Sequence, residues 1–262
     1  MASGSGTISS SFTSLRGRGR RALVAYITAG YPTFDASVDL LRSLEDAGAD
    51  IVEVGVPFSD PLADGPVIQA SSQQALSNGV TYSRVLDLIS AANPRIPVVL
   101  FSYLNPILAA GPNALRKAKE AGATGILITD LPVGADPERE KWLGESGLDF
   151  VRLVAPTTPT ERMAEIARHG SGFVYLISRL GVTGARAELP ADLPATIDRL
   201  RSATTLPICV GFGISRPEHA AALGKRADGI VVGSAIVAAS GRSNAEALAL
   251  VSALRKGLDG VS

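Results

Sequence analysis

Short runs of apolar, often β-branched residues recur along the chain, and most are separated by a stretch with apolar positions spaced as on one helix face. Between the first two runs, Val38, Leu41 and Leu44 step at three-residue intervals before Gly48 interrupts the pattern. This alternation predicts βαβ units, with strands at residues 22–28, 50–56, 97–101, 125–129, 149–154, 173–177, 206–210 and 229–232.

The predicted strands are apolar at nearly every position, as expected for parallel strands that are covered on both faces. Eight such units close naturally into a barrel, so the sequence predicts the α/β class and a single-domain (β/α)8 TIM barrel over residues 16–262. An open, doubly wound sheet is the structural alternative. Residues 1–15 are predicted to be a flexible leader, and they lack the apolar core of a signal peptide.

Composition and charge narrow the range of partners. Lys plus Arg and Asp plus Glu both number 25, so no overall field attracts nucleic acid or an anionic membrane. No run approaches the roughly 20 apolar residues of a membrane span. The only cysteine, Cys209, lies within an apolar run and is expected to be a small buried hydrophobe. These features favour a cytoplasmic protein that acts on a small molecule.

Glu53 is an unusual residue for its position in the second predicted strand. The period of two places Val52, Val54 and Val56 on one face and Glu53 with Gly55 on the other, so neither face is obviously exposed. An unpaired carboxylate there costs several kcal/mol to bury, so Glu53 is predicted to be paired, protonated or functional. A structural ion pair is the alternative to a catalytic role, and the small Gly55 is expected to leave room for a ligand.

The segment that follows this strand, residues 57–66, contains three prolines and two acids in ten residues. Such a loop is stiff and has a defined shape. Asp60 or Asp64 could contribute to a site, but capping a turn is the usual role of Asp beside Pro or Gly. The residue types alone leave these alternatives open.

Glycines follow the last two predicted strands, in Gly211-Phe212-Gly213 and in Gly233-Ser234, where a short helix is expected to begin. In barrels a phosphate commonly binds to free backbone N–H groups of the loops after strands seven and eight. Both motifs at these positions favour a phosphate site over ordinary turns. Residues 178–186, after strand six, contain glycines, hydroxyls and two arginines, which is typical of a mobile lid.

The remaining candidates are aromatic residues and histidines. Several aromatic residues lie at or just beyond strand ends, where they can line a flat apolar pocket or fill the barrel, namely Tyr26, Phe101, Tyr103 and Tyr175. His169 and His219 have no acid or cysteine spaced as a metal partner, so both are expected to be structural and no metal site is predicted.

Residues 53–66, with the sequence EVGVPFSDPLADGP, closely resemble the signature of the tryptophan synthase α subunit family. The similarity extends over nearly everything after Arg21 and includes residues 103–106, 129–132, 178–184, 211–214 and 233–234. The resemblance implies a (β/α)8 barrel that cleaves indole-3-glycerol phosphate by a retro-aldol step without a cofactor. It also implies a β subunit as partner, in an α2β2 heterotetramer.

Residue roles follow from the same resemblance. Glu53 matches the general acid–base glutamate of the family, and Asp64 matches the aspartate that contacts the indole N–H. The other matching positions form a phosphate cradle and an indole pocket, with a lid around Thr183: Gly184, Phe212, Gly213, Gly233 and Ser234 in the cradle, and Tyr26, Phe101 and Tyr175 in the pocket.

Two features depart from the family pattern. Leu180 stands in the lid segment where many relatives have a small polar residue, and residues 16–21 are unusually rich in arginine and glycine. Two other functions remain open, a free-standing indole-releasing lyase of secondary metabolism and a non-catalytic activator of a β subunit. The presence of both Glu53 and Asp64 argues against the second of these.

Overall fold

The computed structural model describes residues 7–178, 190–211 and 213–260. Eight strands form a closed parallel barrel in which each strand pairs with its neighbours in sequence and β1 also pairs with β8. The strands are β1 Ala22–Thr28, β2 Ile51–Gly55, β3 Val98–Ser102, β4 Gly125–Ile128, β5 Asp149–Val154, β6 Val174–Ile177, β7 Ile208–Gly211 and β8 Gly229–Val232. The predicted single-domain (β/α)8 barrel is confirmed, and the doubly wound sheet is excluded.

The helices of the described residues surround this barrel. They are α1 Ile8–Gly17, α2 Phe34–Ser43, α3 Pro66–Ser77, α4 Tyr82–Ala92, α5 Leu104–Ala109, α6 Ala114–Glu120, α7 Pro137–Gly144, α8 Thr160–Arg168, α9 Leu193–Ala203, α10 Pro217–Gly224, α11 Ser234–Ser240 and α12 Asn244–Asp259. None of them is long and apolar enough to cross a membrane.

Buried apolar residues form an outer layer and an inner layer because successive side chains of a strand point to opposite faces. In β2, Val52 and Val54 belong to the large cluster between strands and helices, whereas Ile51 belongs to a smaller cluster inside the barrel. Cys209 is fully buried in the same inner cluster, as the sequence predicts. The alternation therefore directs Glu53, two residues after Ile51, into the barrel.

The predicted leader is too long. Its residues from Ile8 onward form α1, and the side chains of Ile8, Phe12 and Leu15 are buried with the inner cluster. The rings of Phe12 and Phe173, which precedes β6, lie 5.9 Å apart between centroids. These side chains cover the N-terminal ends of the strands, here called the barrel floor, so the apolar side of α1 is needed to close the core.

Candidate active site

Glu53 lies at the centre of β2, where its backbone pairs with Tyr26 of β1 and Val99 of β3. Its side chain is only 1% exposed, and its Oε1 has no hydrogen-bond partner among the described residues. Burial raises the pKa of Glu53 from 4.5 to about 8. The structural ion pair considered from sequence is not present among the described residues, so Glu53 is a proton-holding carboxyl group at neutral pH.

Asp64 lies at the end of the loop that joins β2 to α3. Its Oδ2 accepts a hydrogen bond from the Tyr103 hydroxyl at 3.2 Å, and that hydroxyl accepts one from the backbone N–H of Ala63 at 2.9 Å. Burial raises the pKa of Asp64 from 3.8 to about 6, against the opposing effect of the Tyr103 hydrogen bond. The Tyr103 hydroxyl therefore links the backbone of the loop at Ala63 to the carboxylate of Asp64, a role that the sequence did not predict.

Asp60, the other acid of this loop, is exposed and accepts a hydrogen bond from the hydroxyl of Ser59 at 2.5 Å. The ring of Phe58 packs beside Tyr103, with centroids 5.1 Å apart. The two acids that the sequence left undecided are thus separated by the fold, because only Asp64 faces the interior.

Three of the four aromatic candidates, Tyr26, Phe101 and Tyr175, contribute to the lining of one cavity. Tyr26 and Phe101 are in edge-to-face contact with centroids 5.3 Å apart. Burial raises the pKa of Tyr26 and of Tyr175, so both hydroxyls stay protonated. Neither tyrosine can then act as a general base at neutral pH.

The expectation that Gly55 leaves room for a ligand is wrong. A Cβ at Gly55 would collide with the Tyr26 hydroxyl, and a Cβ at Gly211 would collide with the Tyr175 hydroxyl. Each glycine leaves room for a tyrosine ring from the neighbouring strand. The absence of a side chain at Gly55 and at Gly211 therefore allows the rings of Tyr26 and Tyr175 to occupy their positions.

Three of the predicted phosphate-cradle residues, Gly213, Gly233 and Ser234, line the same cavity as Glu53 and Asp64. Gly213 has a φ of +79°, which favours glycine. At Gly233 the nearest described atoms to an added Cβ are 3.6 Å away, so packing there does not itself demand glycine. Thr183, Gly184, Phe212 and the predicted lid from residue 179 onward, including Leu180, lie outside the described residues.

The cavity encloses about 470 Å³, including its opening to solvent. Besides the predicted residues, its lining includes Ile68 of α3, Val231 of β8 and Ile214, which lies between β7 and α10. These three residues were missed because an apolar residue in an apolar pattern carries no sequence signal that distinguishes cavity wall from core. His169 and His219 do not line the cavity. His169 follows the last residue of α8, and His219 lies within α10.

Two buried carboxyl groups with raised pKa values face a partly apolar cavity at the C-terminal ends of the barrel strands, where (β/α)8 enzymes carry their active sites. This geometry defines an enzyme of the (β/α)8 class that has groups suited to acid–base catalysis.

Comparison with known proteins gives the family. The family model for the tryptophan synthase alpha chain matches residues 12–257. The tryptophan synthase alpha chain of Carboxydothermus hydrogenoformans is 47% identical over 229 residues, 86% of each chain, and that of Geobacter sulfurreducens is 44% identical over 96% of this chain and 98% of its own. A Mycobacterium tuberculosis tryptophan synthase structure superposes with a TM-score of 0.89 at 36% identity, covering 96% of this chain and 97% of the other. The chain belongs to the tryptophan synthase alpha chain family, and it is a lyase of tryptophan biosynthesis.

Proposed function

We propose that Glu53 and Asp64 carry the reaction of the alpha chain, the retro-aldol cleavage of indole-3-glycerol phosphate to indole and glyceraldehyde 3-phosphate. The observation that carries the proposal is the Glu53 carboxyl group, which is buried against the cavity with a pKa of about 8 and an unpartnered Oε1 among the described residues. Such a group can deliver a proton to a bound substrate at neutral pH.

In the first step Glu53 donates its proton to C3 of the indole ring, because indole leaves poorly as a carbanion. Protonation places a positive charge on the ring nitrogen, and the carboxylate of Asp64 stabilises that charge. The interaction is stronger in the transition state than in the substrate, which is the condition for faster chemistry.

In the second step the ionised Glu53 takes the proton of the hydroxyl group on the carbon bonded to C3. The bond between that carbon and C3 breaks, its electron pair returns to the indole ring, and the hydroxyl carbon becomes the aldehyde of glyceraldehyde 3-phosphate. Glu53 ends the cycle protonated, so no cofactor is required for proton balance.

The rest of the site is proposed to bind the two ends of the substrate. Tyr26, Phe101 and Tyr175 contact the indole ring, since their rings line the cavity beside Glu53. Gly213, Gly233 and Ser234 bind the phosphate together with Gly184 and Phe212, while Thr183 closes the lid; the last three residues lie outside the described part of the chain. A closed lid of this kind would exclude water from the site and would retain the indole product.

We also propose that the chain works in the cytoplasm with a tryptophan synthase β subunit, in an α2β2 heterotetramer. The loop that bears Asp64 supports this partner, because Leu62 of the same loop is 90% exposed and an exposed large apolar residue fits a protein interface. A partner that holds this loop would place Asp64 against the indole N–H more often and raise turnover by shifting a population.

The test of the catalytic assignment is Glu53→Gln, which keeps the shape of the side chain but removes proton transfer. We expect indole release to fall at least ~100-fold, with the far-ultraviolet circular dichroism unchanged. Glu120→Gln, at an exposed position of α6, is the matched control and should keep parental activity. Near-parental turnover in Glu53→Gln would exclude Glu53 as the proton donor.

A further inference from the structure

The arginine-rich segment at residues 16–21, which has no part in the proposed reaction, lines a cleft at the barrel floor. This arginine cleft is defined by Arg18, Arg20, Arg21 and Lys225 and has a volume of about 880 Å³, including its opening to solvent. Its remaining walls come from Gly19, Gly224, Leu258 and Asp259. It lies on the opposite end of the barrel from Glu53, since Arg21 immediately precedes β1.

The end of α1 brings these cations together. Gly19 has a φ of +68°, its N–H donates to the carbonyl of Arg16, and the N–H of Arg20 donates to the carbonyl of Leu15. This tight turn needs a glycine in the left-handed region, and it reverses the chain so that residues on both sides of Gly19 face α10 and α12. The turn at Gly19 therefore allows the arginines on either side of it to line the same cleft.

Two guanidinium groups of the cleft are held in place by single hydrogen bonds. Arg21 donates from Nε to the carbonyl of Gly224 at 2.9 Å, and Arg18 donates from Nη2 to the hydroxyl of Ser14. A guanidinium has five N–H groups, so each arginine retains donors for a ligand. The half-buried Arg21 is oriented before a ligand binds, which lowers the entropy cost of binding an anion.

The cleft carries excess positive charge. Asp259 is the only acid among the described residues of its lining, and it already pairs with Arg20 at 3.2 Å and with Arg255 of α12 at 2.7 Å. Within the described ranges, Arg18, Arg21 and Lys225 make no salt bridge. Three cations thus share a concave surface without a carboxylate of their own.

We propose that the arginine cleft binds an oligophosphate, a ligand with two or more linked phosphate groups. Arginine forms forked hydrogen bonds to phosphate oxygens and lysine adds a mobile charge, so the three unpaired cations match a ligand with several adjacent charges. Because the chain has no net charge overall, no molecule-wide positive field adds to that of the cleft, and an extended nucleic acid is the less suitable ligand.

Binding of inorganic triphosphate to the full chain tests the proposal by calorimetry and by the rise in Tm that a ligand of the native state produces. We expect saturable binding that weakens as salt is added. Affinity should decrease from triphosphate to pyrophosphate to phosphate. Arg18→Gln and Lys225→Gln, both at exposed positions, should each weaken binding at least ~5-fold, as the loss of a charged hydrogen bond implies. Indole release should stay at the parental rate in both variants.

Lys141→Gln removes the same charge from an exposed position of α7 and is the control. The proposal is overturned if the parent shows no saturable binding or if Lys141→Gln weakens it as much as Arg18→Gln does. It is also overturned if a DNA duplex binds through the same two cations while free triphosphate does not, which would make the surface a nucleic-acid contact.

Discussion

Asp50 lies just before the start of β2 and Glu53 lies at its centre, three residues later, and the fold gives the two carboxyl groups different partners. At the floor, Asp50 Oδ2 accepts hydrogen bonds from the N–H of Leu23 at 2.8 Å and from Arg255 Nη1 at 2.9 Å. Inside the barrel, Glu53 has no cation beside it in any described part of the chain. Both carboxyl groups have raised pKa values because of burial, but only Asp50 gains opposing contacts that lower its pKa.

This difference separates stabilisation from function. A carboxylate that accepts hydrogen bonds from an arginine and a backbone N–H fixes the start of the strand. A buried carboxyl group with an unpartnered oxygen is a cost to stability, and an enzyme retains it because its proton can be transferred. Variants at the two positions should therefore differ in their effects on stability and on turnover.

The largest effect is expected at the floor. Arg255→Met leaves Asp50 buried without its cation, which typically costs about 3–5 kcal/mol of the free energy of unfolding. Denaturant unfolding measures that loss, and molecules that remain folded should keep parental turnover. A loss below about 1 kcal/mol would show that Asp50 does not depend on Arg255.

Glu53→Gln should have the opposite effect on stability. The pKa of Glu53 rises from 4.5 to about 8 on folding, so the parent carries no ionisation cost below pH 4.5, a growing cost up to about pH 8 and the full cost above it. The variant escapes this cost, so its stability relative to the parent should increase as pH rises through that window. Parallel curves of unfolding free energy against pH would contradict the assignment.

The next effect concerns the two carboxyl groups of the active site. Catalysis requires ionised Asp64 and protonated Glu53, so kcat/KM should be bell-shaped, with limbs near pH 6 and pH 8. Asp64→Asn should lower kcat/KM ~100-fold and remove the acidic limb. Asp39→Asn, at an exposed position of α2, is the control. An acidic limb that survives in Asp64→Asn would assign it to another group.

A smaller effect is expected from Tyr103→Phe, which removes the hydroxyl between Asp64 and Ala63. Loss of a hydrogen bond that lowers the pKa of Asp64 should move the acidic limb to higher pH, and kcat/KM should fall ~10-fold. Tyr82→Phe removes a hydroxyl bound to the carbonyl of Ala114 and serves as the control. If both variants behave alike, Tyr103 has only a structural role.

The smallest effect is expected from Asp60→Ala, which leaves Glu53 and Asp64 in place. Indole release is measured with and without a saturating β subunit. The parent should be slow alone and activated by the partner, and the activation should shrink in the variant. A parent that is fast alone and indifferent to the β subunit would favour the free-standing lyase.

The local pattern of the sequence was sufficient to predict the barrel and the face of β2 on which Glu53 lies. Three strand ranges, β1, β5 and β8, agree with the predicted bounds, and the others differ at one or both ends. The alternation in β2 correctly placed Glu53 opposite Val52 and Val54, because side-chain direction along a strand depends only on position within that strand. The residues of α1 were misjudged because a short helix is stabilised mainly by what it covers.

Contacts between distant segments were decided by the tertiary structure alone. Asp50 and Arg255 are 205 residues apart, and Asp64 and Tyr103 are 39 residues apart, yet each pair forms a hydrogen bond. Gly55 accommodates Tyr26, not a ligand, because Tyr26, whose backbone pairs with Glu53, extends its ring over the glycine. Local alternation along the chain sets the face that each residue occupies within its element. Closure of the barrel determined which faces meet, because pairing across strands and loops depends on register and packing that no local pattern encodes.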